Sequence, residues 1–104
     1  MIKMVGLDED VRTVVEKNVD SIIKDPEKSE KRFSLFLTIQ GIEHNLETIL
    51  SFINGLLFGM ANDMNVVKNH RSIESEEEVL ELMNLLKRRA WEMRQVFIKT
   101  RIEQ

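Results

Sequence analysis

The reading of the fold turns on LFLTIQGIEHNLETILSFINGLLFGMANDMNVV, the stretch from Leu35 to Val67. Leu35, Ile39, Ile42, Leu46, Ile49, Ile53, Leu56, Met60 and Val67 recur in it at intervals of four and three, interrupted at Asp63. That spacing is the heptad period of a helix whose apolar seam faces a packed partner. Phe36, Leu50, Leu57 and Met64 run beside the seam and widen it to the stripe of a bundle helix. The sequence therefore predicts one long core helix, with His44 on its outward side.

Working back toward the N-terminus, Asp25-Pro26 marks where that helix begins. Proline disfavours helical geometry in the residue before it and suits the first helical position, and the Asp25 carboxylate is placed to cap. A helix from Pro26 to about Asn69 would span roughly 60 Å at 1.5 Å per residue. Upstream, Asp8 is a predicted N-cap for a helix over 8–24, with Leu7, Val11, Val14, Val15, Val19, Ile22 and Ile23 on its apolar face. Its β-branched residues weaken intrinsic helicity, so packing must hold it. Gly41, Gly55 and Gly59 interrupt the long helix at about 1 kcal/mol each, either for close approach and bending or merely tolerated within the seam.

Downstream, a turn is predicted through His70-Arg71-Ser72-Ile73, followed by a Ser75-Glu76-Glu77-Glu78 capping box and a helix over 76–102. Val79, Met83, Leu86, Ala90, Met93 and Phe97 repeat the four-three alternation, flanked by Leu82, Leu85 and Val96. Two seams joined by a short turn predict an antiparallel helical hairpin. Each helix of such a hairpin stays half uncovered, so the expected assembly is a homodimer. Two hairpins close a four-helix bundle, with the short N-terminal helices as additions.

Composition limits what else the chain can be. At 104 residues it reads as a single all-α domain, 1–104, that buries about two thirds of its unfolded surface. Four glycines and one proline leave room for about three helices. Without cysteine there are no disulfides, cysteine-zinc clusters or thiol catalysis, which a reducing cytoplasm permits. The start Met-Ile-Lys-Met-Val-Gly is too short for a signal peptide, and no run of eighteen apolar residues exists for a membrane span. The expectation is a soluble, cytoplasmic protein without membrane contact. A net charge of −3 argues against bulk electrostatic attraction to nucleic acid but leaves local patches open.

No phosphate loop, Cys-His cluster or Ser-His-Asp spacing is present, and no cofactor is expected. Glu43, His44 and Glu47 share a helix face at metal-ligand spacing. Di-iron bundles, however, place Glu-x-x-His inward on two helices, whereas this is one outward His-x-x-Glu, so no metal site is expected.

His44 carries the one chemical lead. The segment Ile42 to Gly55 resembles the H-box of sensor histidine kinases, H-E-L-R-T-P-L-x-x-I-x-G, with His44, Leu46, Thr48, Leu50, Ile53 and Gly55 at matching positions. Thr100-Arg101-Ile102-Glu103 is similar to the S-R-I-E sequence that ends the second helix of that family's dimerisation and phosphotransfer domain. The chain departs from the pattern at Asn45, where the family has an acid, at Glu47 for a basic residue and at Ile49 for proline. The resemblance implies a stand-alone phosphotransfer or regulatory domain rather than a self-phosphorylating kinase, dimerising as a hairpin, with a response-regulator receiver as partner. His44 would be the phospho-acceptor, its ring oriented by Asn45, with Thr48 positioning water or the receiver. The alternative is a solvent-facing histidine with no task.

A second class of function is a non-enzymatic helical adaptor or a small ribonucleoprotein subunit. Lys87, Arg88, Arg89, Arg94, Lys99 and Arg101 surround Trp91, and a basic strip with an aromatic can hold a nucleic-acid backbone and stack a base. Lys87, Arg88 and Arg94 would be its contact residues. Those cations can equally complement the helix dipole, with Trp91 as a bundle anchor.

Overall fold

A computed structural model describes residues 6–103, with side chains to Arg101. The Met1–Val5 segment and the side chains of Ile102 and Glu103, which end the kinase-like tetrapeptide, lie outside the described residues. The described chain is all helical: α1 (Glu9–Lys24), α2 (Pro26–Ile39), α3 (Leu46–Asn69) and α4 (Glu76–Glu103).

The caps read from the sequence are where they were expected. Asp8 accepts the backbone N–H of Asp10 at 2.8 Å and starts α1. Asp25 accepts the N–H of Lys28 at 3.3 Å ahead of Pro26, which opens α2. Ser75 Oγ accepts the N–H of Glu78 at 3.1 Å at the head of α4. Each satisfies a donor that the first turn of a helix leaves orphaned.

The long helix predicted over 26–69 is instead two helices, broken at Gln40–Asn45. Gly41 has φ +73°, in the left-handed region that glycine enters without steric cost. Its N–H donates to Thr38 O at 3.0 Å, and the N–H of Ile42 donates to Leu37 O at 2.8 Å. Those two bonds form a Schellman motif, which consumes the last free carbonyls of α2 and stops it. Restart is equally specific. Asn45 Oδ1 accepts the Thr48 N–H at 3.0 Å, and the Asn45 N–H donates to Thr48 Oγ1 at 2.8 Å. This reciprocal capping box opens α3.

The break also changes which residues are inside. On α3 the buried row is Ile49, Ile53, Leu57, Ala61 and Asn65, every step four residues, with Leu50 beside it. Of the predicted seam, Ile49 and Ile53 belong to this buried row. Leu35, Ile39 and Val67, which belonged to that seam, are 62%, 72% and 75% exposed. On α4, Leu82, Leu85, Leu86, Met93 and Phe97 are buried, whereas Met83 faces out.

The α3–α4 hairpin is present as predicted, but one of its faces is covered by its own chain. Lys68, near the end of α3, donates to Asp8 Oδ1 at 3.0 Å, so α1 runs antiparallel to α3. Arg12 pairs with Glu81 at 3.2 Å and Arg89 with Glu16 at 2.6 Å, so α1 runs parallel to α4. Val11, Val15 and Val19 of α1 are fully buried on the hairpin. Burial of such side chains, worth about 1.5–3 kcal/mol each, offsets the poor helicity of α1. Helix α2 packs on both α3 and α4. Its Phe33 and Phe36 meet Phe52 of α3 at ring separations of 5.6 and 4.6 Å. Four helices of one chain therefore build the core. No helix among the described residues is long and apolar enough to cross a membrane.

Candidate functional site

Opposite α1, the outer faces of α3 and α4 leave a cleft of about 580 Å³. Asn54, Gly55 and Phe58 form the α3 wall. The α4 wall is formed by Met83, Leu86, Lys87, Ala90, Trp91 and Arg94. A side chain at Gly55 would meet no atom within 4 Å, so bare backbone is presented there. Asn54 Oδ1 is buried without a hydrogen-bond partner among the described residues.

The apolar content of this face is unusual for a helix in water. Trp91 is 65% exposed, Leu80 54% and Met83 41%. Scattered apolar side chains on a surface need no explanation, but these three share one side of α4, which borders the cleft. Trp91 therefore lies outside the core of the single chain.

The basic strip is largely neutralised by the fold. Arg88 lies 3.4 Å from Glu16, and Arg89 pairs with both Glu16 and Asp20. Arg101 reaches Glu30 at 2.8 Å, and Arg94 grips both oxygens of Glu47. That grip holds the Glu47 carboxyl below its ordinary range. Of the three predicted nucleic-acid contacts, Lys87 alone has no acidic partner among the described residues. An α-helical strip paired this way carries little net field for a phosphate backbone to follow.

His44 stands in the connection between α2 and α3, not on the outward side of a helix as expected. Its Nδ1 is 3.2 Å from the Thr38 hydroxyl, and it shares a shallow depression with Glu27, Glu30, Lys31 and Ser34. Asn45 and Thr48 are adjacent to it, yet the Asn45 Oδ1 and the Thr48 hydroxyl are engaged in the capping box. The residues aligned with the H-box are thus brought together as a helix start.

The sequence reading missed a polar fastening where α1, α3 and α4 meet. Asn65 is fully buried, donating to Arg71 O at 2.8 Å and accepting from Asn69 Nδ2 at 2.7 Å. Asn69 also donates to Asp8 at 3.3 Å. The Lys68 ammonium, with Asn69 and two backbone N–H groups, pulls the Asp8 carboxyl down to about 2. Glu78, buried on α4, is held by the Arg71 guanidinium at 2.7 and 3.1 Å and by the Ser75 hydroxyl. Arg71 and then Ser75 keep its carboxyl below the usual range. The available signal was phase: Asn65 continues the Ile49, Ile53, Leu57, Ala61 row.

Among the described residues, no group of three or more His, Asp or Glu is placed to hold a metal ion. Comparison with protein-family models, curated proteins and solved structures finds no match to this chain.

Proposed function

We propose that this chain is a non-enzymatic helical adaptor that works through protein–protein contacts, with the α3–α4 cleft as its contact surface. Its assembled form is a homodimer in which two α3–α4 hairpins meet to make a four-helix layer. The observation that carries this reading is Trp91: a large aromatic, mostly in water, on an apolar stripe beside an open groove. Aromatic side chains of this kind dominate interface energetics when a partner covers them. Internal pairing of Arg88 and Arg94 favours protein over nucleic acid as the partner. His44 phosphotransfer draws less support, because its expected helpers serve as a helix cap.

Sedimentation velocity across a concentration series tests the reading. The parent chain is expected to dimerise in the micromolar range. Trp91→Ala should weaken association roughly 30-fold, the equivalent of a hot spot of about 2 kcal/mol. Its circular dichroism should be unchanged, because Trp91 contributes little to the core. A parent that stays monomeric throughout, or a variant that associates equally well, contradicts the proposal.

A further inference from the structure

We infer that the cleft is filled by α4 of a second copy running antiparallel to the first, about a two-fold axis level with Leu85 and Leu86. This rests on the homodimeric reading above and adds its geometry.

The outward stripe of α4 reads Glu76, Leu80, Met83, Lys87, Trp91 and Arg94. Steps of three and four keep these residues on one face. The two halves of the stripe differ in charge: acidic in the first turn, with Glu76 and Glu77, and cationic beyond the midpoint at Lys87, with Arg94 already shared with Glu47. A parallel copy would set Glu76 against Glu76 and Lys87 against Lys87. An antiparallel copy sets the acidic end of each helix against the cationic half of the other.

The apolar residues obey the same symmetry. Leu80 and Trp91 are separated by about 16 Å along the axis, three turns of helix. A two-fold axis midway places Leu80 of each copy over Trp91 of the other, so one operation covers both exposed side chains. The same register sets Met83 within one residue of level with the aliphatic stem of Lys87, and Glu76 within one residue of level with Arg94. Arg94 already binds Glu47, but a guanidinium has five N–H donors and can accept a second carboxylate. At the edge of the cleft, Gly55 offers no side chain to the incoming helix. A stripe that is complementary to itself under a two-fold rotation is what an isologous interface requires.

The natural absence of cysteine makes the test direct. Glu76→Cys and Gln95→Cys are both exposed substitutions outside the apolar contacts. In the antiparallel register the two positions are level with each other, whereas identical positions lie about 28 Å apart along the axis. A short bismaleimide should therefore link the two variants when they are mixed and link neither variant to itself. Self-linking of each variant alone means a parallel arrangement and overturns the inference. A dimer by sedimentation with no linked product of either kind places the interface elsewhere, which also overturns it while leaving the homodimer standing. A monomer by sedimentation removes the homodimer itself.

Discussion

Phe97→Ala is expected to destabilise the fold by about 3–5 kcal/mol, the range for removing a buried aromatic ring. Phe97 is 1% exposed, and it and Met93 are the large, fully buried side chains of the second half of α4. The loss combines transfer of the ring to water with a cavity that a close-packed interior only partly refills. For a chain of this size, each kcal/mol lowers the midpoint by roughly 4–8 °C, so thermal unfolding followed by circular dichroism should show a drop well beyond 10 °C. A loss below about 0.5 kcal/mol, typical of a surface site, contradicts the placement of Phe97. A contrast is built into the same helix, where Trp91→Ala removes a larger ring and should leave the unfolding midpoint of the monomer almost unchanged.

The second large effect concerns a polar residue. Asn65→Leu keeps the heavy-atom count and branching and raises hydrophobicity at a fully buried position, and by area alone it should stabilise. The expectation is the reverse, a cost of about 1–3 kcal/mol, because partly buried groups lose a partner. The Arg71 carbonyl loses its amide donor, and the Asn69 amide loses the nearer of its two acceptors, keeping Asp8. Both groups sit where α3 ends and the chain turns toward α4, so the damage should be local. Hydrogen exchange should rise first at the end of α3 and the start of α4. Asn65→Leu with unchanged or higher stability in urea contradicts the fastening role assigned to this cluster.

Much of the fold was legible in the sequence, for reasons that differ between elements. Asp8, Asp25-Pro26 and Ser75 are local signals, each satisfying backbone donors within a few residues, and local chemistry survives into the folded chain. The valines of α1 were legible because their spacing defines one face. The break at Gly41 was not, because the apolar residues on either side of it stay nearly in phase, so periodicity runs straight through a turn. Two further signals were present: a glycine able to take the left-handed C′ position, and Asn45-x-x-Thr48, a capping box. The same Asn45 and Thr48 were read as companions of His44, and a motif match thereby concealed a helix start. Charge pairing across helices, such as Glu16 with Arg88 and Arg89, depends on tertiary placement and left no sequence pattern.

The outer stripe of α4 shows how hydrophobic periodicity can mislead. Leu80, Met83 and Trp91 are as apolar as the core row of Leu82, Leu85 and Leu86, and the two rows lie on different sides of the helix. A helix apolar on more than one side is covered on more than one side. Within the chain, α1 and α2 cover one side of the hairpin, and the proposed second copy covers the other.

Trp91 is the one tryptophan in the sequence, and it lies within the proposed contact, so its fluorescence reports directly on the claim. Emission and acrylamide quenching, followed from nanomolar to high micromolar protein, are predicted to show the indole passing from a wet to a shielded environment as the dimer forms. An emission maximum and a quenching constant that stay those of a solvent-exposed indole at every concentration would contradict the account.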